Sequence, residues 1–303
     1  MEHKEELLKP KIDVVFHSLF RKGNERITKA LISSITKEKI EDIELDNDRF
    51  IIGKYPEEKL GILDLKAKLN NGTICDIEIQ LADNKDTAER FLYYWSRVYT
   101  SQLLKGNTYK ELNRVIGIIV IDYNFEKTKE IEQISTKWKI KEVTTGKELV
   151  LTDMLELYII EVPKVKKILE KEPNNNLAQW IQFLDNPNEK EVLKSMENNE
   201  EIKEAMEELE VISKEKELRR LAELKEKAIR DEKNALAHAI EDGKNIGIAE
   251  GRKEGLKEGL KEVNKKLKDE KIEIAKRLLK IGLTVEQITE VTELSKQEIS
   301  SLL

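Results

Sequence analysis

Residues 63–80, LDLKAKLNNGTICDIEIQ, alternate apolar and polar positions twice over. Leu63, Leu65, Ala67 and Leu69 share one face of a first strand, opposite Asp64, Lys66 and Lys68. In a second strand Cys75, Ile77, Ile79 and Leu81 share a face, opposite Ile74, Asp76, Glu78 and Gln80. This period of two is the mark of half-buried strands. Both apolar sets reach one core only if the loop holds an odd number of residues. Asn70-Asn71-Gly72 supplies three, with Gly72 suited to the left-handed position that ends such a loop. The hairpin then pairs position i with 142 − i and sets Asp64 opposite Glu78, with Cβ atoms about 4.5–5.5 Å apart. Two carboxylates so placed repel. A hard divalent cation between them relieves the repulsion, taking one or two carboxylates and keeping waters for exchange with phosphate oxygens. The plainer alternative is a solvated polar face on which Lys66 and Lys68 neutralise Asp64 and Asp76.

Outward from the hairpin, the first half of the chain reads as α/β. KPKIDVVFHSLF (9–20) leads into a helix through about residue 36, and strands are predicted near 42–53, 59–69, 73–82, 114–123, 134–143 and 155–161. The run VIGIIVID (115–122) fits a strand buried on both faces. DTAERFLYYWSRVYTSQLLKG (86–106) predicts one long helix ended by Gly106. Helices and a mixed sheet in this order make an α/β sandwich. Every Phe, Tyr and Trp lies between Phe16 and Phe183, so an aromatic core belongs to the first part of the chain. The punctuated stretch 163–190, with Pro163, Pro173 and Pro187, is the expected boundary.

Beyond it, 166–240 reads as a charged, coiled-coil-like connector. In 241–262, Gly243, Gly247, Gly251, Gly255 and Gly259 recur every fourth residue. Each glycine costs a helix about 0.8–1.0 kcal/mol relative to Ala. A small-residue stripe lets a second helix backbone approach, which predicts self-association through a second copy of the chain, against the alternative of a flexible charged linker. Residues 263–303 predict three short helices, with capping boxes at Thr284/Gln287 and Ser295/Glu298. The final helix has no arginine to read a groove, so this module is expected to pack against protein.

Composition narrows the rest. The chain has 303 residues, a net charge of −6, one cysteine and three histidines, which removes a disulfide framework and a Cys- or His-based metal cluster. Cys75 reads as a small buried core residue. The charged N-terminus lacks a signal-peptide pattern, and no apolar run approaches a membrane span, so a cytoplasmic protein is expected. Motif searches give no phosphate-binding loop, HExxH or GxSxG.

Asp64 followed by Asp76-Ile77-Glu78-Ile79-Gln80 resembles the D…(D/E)xK core of PD-(D/E)XK nucleases, with Gln in the place of the lysine. The segments KPKIDVVFHSLF (9–20), LDLKAKLNNGTICDIEIQL (63–81) and RFLYYWSRVYTSQLLKGNTYKEL (90–112), the glycine repeat and the tail GLTVEQITEVTELSKQEI resemble the recombination-promoting nuclease/putative transposase family of that superfamily. The resemblance implies a restriction-endonuclease-like α/β sandwich followed by an extended helical region. It also implies Mg2+-dependent DNA cleavage, with Mn2+ as a substitute metal. Asp64, Glu78, the backbone carbonyl of Ile79 and, as a further candidate, Asp13 would hold the metal, with Asp64, Glu78 and Gln80 as catalytic residues. An amide at Gln80 can orient water but brings no charge, and Lys66 is a candidate for the missing charge. Arg90, Tyr94 and Arg97, at i, i+4 and i+7 of one helix, are candidates for DNA contact alongside Lys66. A catalytically weak nuclease fold serving as a binding or assembly module is the alternative.

Overall fold

The computed structural model describes residues 6–45, 51–52, 61–62, 65–69, 71–83, 85–195 and 197–302. Its strands are β1 (Ile43–Leu45), β2 (Ile51–Ile52), β3 (Gly61–Ile62), β4 (Leu65–Leu69), β5 (Ile74–Gln80), β6 (Val115–Ile121), β7 (Ser135–Trp138) and β8 (Leu155–Glu161). Its helices are α1 (Asp13–Leu19), α2 (Glu25–Thr36), α3 (Thr87–Thr100), α4 (Val165–Lys171), α5 (Asn176–Asp185), α6 (Lys190–Ser195), α7 (Glu200–Ile212), α8 (Lys216–Lys280), α9 (Val285–Thr292) and α10 (Lys296–Ser300).

The hairpin forms in the predicted register. Leu65 pairs with Ile77, Lys66 with Asp76, Ala67 with Cys75 and Lys68 with Ile74. Leu69 closes the ladder by donating its N–H to the Thr73 carbonyl, and Gly72 turns the chain at φ +83. A side chain there would also collide with Asn113, whose Oδ1 lies 2.6 Å from the site a Cβ would take. Asp64 lies outside the described residues.

Six strands form one mixed sheet in the order β1-β4-β5-β6-β8-β7. The central β5, β6 and β8 run parallel, and the outer pairings β1-β4, β4-β5 and β7-β8 are antiparallel. β2 and β3 pair separately. β6 is buried at every residue, as its unbroken apolar run predicts. On one face, Cys75, Ile77, Ile116, Ile118, Val120, Tyr158 and Ile160 join a core built from α1, α2, α5 and α7. On the other, α3 lays Phe91, Tyr94, Trp95 and Val98 over Val115, Ile119 and Ile121. Gly117 permits that approach, because a Cβ on it would stand 3.0 Å from Phe91 and from Leu157. The result is the α/β sandwich with a mixed sheet that the sequence predicts.

Several boundaries differ. The single N-terminal helix is two, because Gly23 (φ +104) turns the chain and Asn24 donates its side-chain amide to the Leu19 carbonyl at the end of α1. The long helix stops at Thr100 rather than Gly106: the hydroxyls of Thr100 and Ser101 turn back onto the Ser96 and Val98 carbonyls. The strand predicted at 134–143 shortens to Ser135–Trp138, followed by one isolated bridge, Lys141 to Val150. The core runs on past 163–190. Trp180, Phe183, Ile202, Leu209, Leu218 and Ala222 are all buried in the same cluster as the sheet residues.

Long-range backbone contacts fasten the N-terminal segment to this late helical layer. Leu7 exchanges hydrogen bonds with the Asn188 amide, Leu8 N–H donates to Ser213 Oγ (3.2 Å), and Lys11 N–H donates to the Leu184 carbonyl (2.9 Å).

The chain divides into two compact units, Met1–Lys233 and Asn234–Leu303. In the second, the end of α8 packs with α9 and α10 around Ala275, Ile288, Leu294 and Ile299. Both predicted capping boxes form, at Thr284/Gln287 and at Ser295/Glu298. The first of the three expected helices is the end of α8, which also carries the glycine repeat. Among the described residues, a Cβ at Gly243, Gly247, Gly251, Gly255 or Gly259 meets nothing within 4 Å. Among the described residues no helix is long and apolar enough to cross a membrane.

Candidate active site

The polar row of β5 is not a solvated face. Asp76 is 0 %, Glu78 6 % and Gln80 9 % exposed. These residues alternate with Cys75 and Ile77, which enter the opposite core, so they point to the side that α3 covers. An ionised carboxylate survives such burial only with compensating partners, so a row of this kind is costly unless it does something. Lys66 stands opposite Asp76, as the register predicts.

The row ends at a cavity. About 330 Å³ in volume, it is lined by Ile79, Gln80, Leu81 and Ala82 from the end of β5, by Lys11 and Asp13 from the start of α1, by Arg90 of α3, and by Lys225, Ile229 and Glu232 of α8. It thus opens where the parallel strands present their carboxyl ends, the usual position of ligand sites in open α/β sheets. Asp122, the residue after β6, donates its N–H to the Gln80 carbonyl at 3.0 Å.

Gln80 donates Nε2 to the Ala82 carbonyl at 3.1 Å, which fixes the amide. Its Oε1 is shielded from solvent and accepts no hydrogen bond among the described residues. Asp13 opens α1. One carboxylate oxygen accepts the Val14 N–H at 2.8 Å and the other meets Lys225 Nζ at 2.9 Å. It therefore both accepts an N–H in the first turn of its helix and lines the cavity. Lys11 donates to Asp185 at 2.5 Å and to Asp122 at 3.2 Å. Burial disfavours its charge, but the two carboxylates outweigh that and hold its pKa above the usual lysine value. Asp122 also accepts from Lys233 Nζ at 3.1 Å.

The three residues predicted on one face of α3 differ in exposure. Arg90 reaches the cavity. Tyr94 is only 4 % exposed, and burial pushes its hydroxyl pKa up. Its ring lies 5.3 Å below the Arg90 guanidinium, so it supports that side chain and offers no surface to a phosphate backbone. Arg97 is half-buried one turn further on. Phe91 and Trp95 are core residues, and the Trp95 indole donates to the Val115 carbonyl at 3.0 Å.

Glu78, the Ile79 carbonyl, Gln80 Oε1 and Asp13 are hard oxygen donors, the kind that suit Mg2+, which needs few protein carboxylates. Among the described residues no three His, Cys, Asp or Glu side chains gather closely enough to hold a metal without further donors. Asp64, the third acid of the predicted set, lies outside them.

Lys11, Asp122 and the face of α8 were not found by sequence reasoning. The signal existed for α8: Leu218, Ala222, Lys225 and Ile229 follow a helical i, i+4, i+7, i+11 stripe, with Leu218 and Ala222 buried. Glu and Lys on the remaining faces obscured it.

No curated protein and no solved structure matches the chain. A family model described as PD-(D/E)XK nuclease family transposase matches residues 10–239, the span that holds the mixed sheet, the buried acid row of β5 and the turn of α8 that walls the cavity. With three-quarters of its length accounted for in this way, the chain belongs to the PD-(D/E)XK nuclease family transposases.

Proposed function

We propose that the protein is a metal-dependent DNA endonuclease acting in recombination or in the movement of mobile elements. The observation that carries this reading is the buried row Asp76, Glu78, Gln80 leading into a cavity that Asp13 also lines. In this reading Asp64 and Glu78, with the Ile79 carbonyl and Asp13, hold Mg2+, or Mn2+ in its place. The ion, when bound, polarises the scissile phosphate and lowers the pKa of a water. The chain's own residues do the rest. Glu78 brings a carboxylate held away from solvent by α3. Gln80 orients the attacking water through its amide. Arg90, supported by Tyr94, draws a DNA phosphate into the cavity, and Lys66 and Arg97 steady the backbone beside it. The glycine repeat of α8 joins two copies of the chain, so that two cuts can be made by one assembly.

A second reading has one observation in its favour: Gln80 carries no charge where nucleases of this superfamily keep a lysine. On that reading the chain binds DNA or assembles without efficient cleavage. Incubation of supercoiled plasmid with Mg2+, Mn2+ or EDTA separates the two, using wild type, Asp64→Ala and Glu78→Ala. Metal-dependent nicking that both variants lose supports the nuclease. DNA binding with no nicking in any metal supports the second reading.

A further inference from the structure

The cavity at Gln80 needs a positive charge to steady a phosphate as negative charge builds on it, and Gln80 supplies none. Four cations are candidates, and geometry separates them. Lys66 stands opposite Asp76, four residues back along β5 from Gln80. At about 3.3 Å per residue that is roughly 13 Å along the strand, beyond the reach of a lysine side chain. Lys11 lines the cavity but is held by two carboxylates at 2.5 and 3.2 Å, with only 18 % of its side chain exposed. Arg90 lies over the Tyr94 ring, positioned to bind a phosphate but fixed in a stack. Lys225 is different. It projects from α8 into the same cavity, half of its side chain is solvent-accessible, and it reaches Asp13 at 2.9 Å. It is thus already at the cavity wall beside a candidate metal ligand, and its long stem can swing from Asp13 to an incoming phosphate.

We infer that Lys225, on a helix more than a hundred residues downstream of the hairpin, is a catalytic residue: its ammonium contacts the substrate phosphodiester and supplies the charge that Gln80 lacks. This rests on the nuclease reading above. With its Nε2 committed to the Ala82 carbonyl and its Oε1 shielded from solvent, the Gln80 amide presents no charge to the cavity that it lines. The first turns of α8 are then part of the active site and not a connector.

The test compares wild type, Lys225→Ala, Lys225→Arg and the double variant Gln80→Lys/Lys225→Ala in Mg2+-dependent plasmid nicking. Duplex affinity is measured separately by fluorescence anisotropy with Ca2+ in place of Mg2+, and thermal melting checks that each variant folds. Lys225→Ala is expected to lose on the order of 10²-fold in kcat, the scale for removing one preorganised charge or donor, while duplex affinity and melting stay near wild type. Lys225→Arg should keep most of the rate, and placing a lysine at position 80 should restore the alanine variant. Lys225→Ala nicking as fast as wild type, or faster, overturns the inference and makes the Asp13 pair a lock on the site. A loss confined to duplex affinity overturns it as well, leaving Lys225 a plain DNA contact. Both results leave the nuclease reading intact. A wild type that never nicks DNA removes that reading and this one together.

Discussion

Arg114, just before β6, and Glu156 on β8 meet at 2.5 Å beneath the sheet surface, and Lys137 (2.9 Å) and Lys139 (2.7 Å) converge on the same carboxylate. Burial alone would raise the Glu156 pKa, but the three cations outweigh it and hold the group down at about 2. Because the folded pKa lies below the unfolded one, the stabilisation is complete above about pH 4.5 and is lost as pH falls toward 2. The difference in stability between wild type and Glu156→Gln, from urea melts at several pH values, is therefore expected to be constant near neutrality and to shrink across that acidic window. At pH 7 the variant should be less stable by about 1–3 kcal/mol, since the cations lose a shared carboxylate while Arg114 keeps Glu38 and Lys139 keeps Asp153. A difference that does not change with pH refutes the assignment.

Gly117 is where α3 meets the sheet. Gly117→Ala should destabilise the first unit by about 1–3 kcal/mol, the range for overpacking a filled core, because the new methyl stands 3.0 Å from both Phe91 and Leu157. Guanidinium melts followed by tryptophan emission will report it, since Trp95 belongs to the same helix. A melt identical to wild type would show that α3 shifts freely over β6.

Cys75 is fully buried beside Asp76, and burial pushes its thiol pKa well up. Ellman's reagent is expected to label nothing in the native protein and one thiol per chain in denaturant. Rapid native labelling would mean that the β4–β5 hairpin opens on the timescale of the reaction.

Among the described residues a Cβ at any of the five glycines at 243–259 meets nothing within 4 Å, so alanines there are free of clashes within one copy. Replacing all five is expected to raise the helicity of α8, since each alanine favours helix by about 0.8–1.0 kcal/mol. If the stripe seats a second copy, the same change abolishes self-association in sedimentation velocity. Wild type sedimenting as a monomer at every concentration would remove the pairing idea.

The hairpin was legible because its evidence is local. Alternation fixes the faces, and an odd loop ending in Gly72 fixes the register, so Leu65 to Ile77 and Lys66 to Asp76 follow without any knowledge of the rest of the fold. Burial of Asp76 and Glu78 was not legible. The same alternation describes a strand with one wet face, and only α3, packed through Gly117, makes that face dry. Burial of Tyr94 was not legible for a related reason: spacing set it beside Arg90, as the structure has it, but could not show that its ring turns toward the sheet. The cavity wall from α8 escaped because it depends on contacts across more than two hundred residues, which no short pattern encodes.

Those contacts have a consequence for biosynthesis. Leu7 and Leu8 are tied to Asn188 and Ser213, and Lys11 to Leu184 and Asp185. A ribosome making this chain releases the acid-bearing hairpin long before the residues that fasten the N-terminal segment beside it exist. The contacts that hold the segment before Asp13 therefore form only after α5 and α7 have emerged, and Lys225 arrives later still. The cleft joins early, middle and late parts of its unit, so an unfinished chain carries the acids without the site.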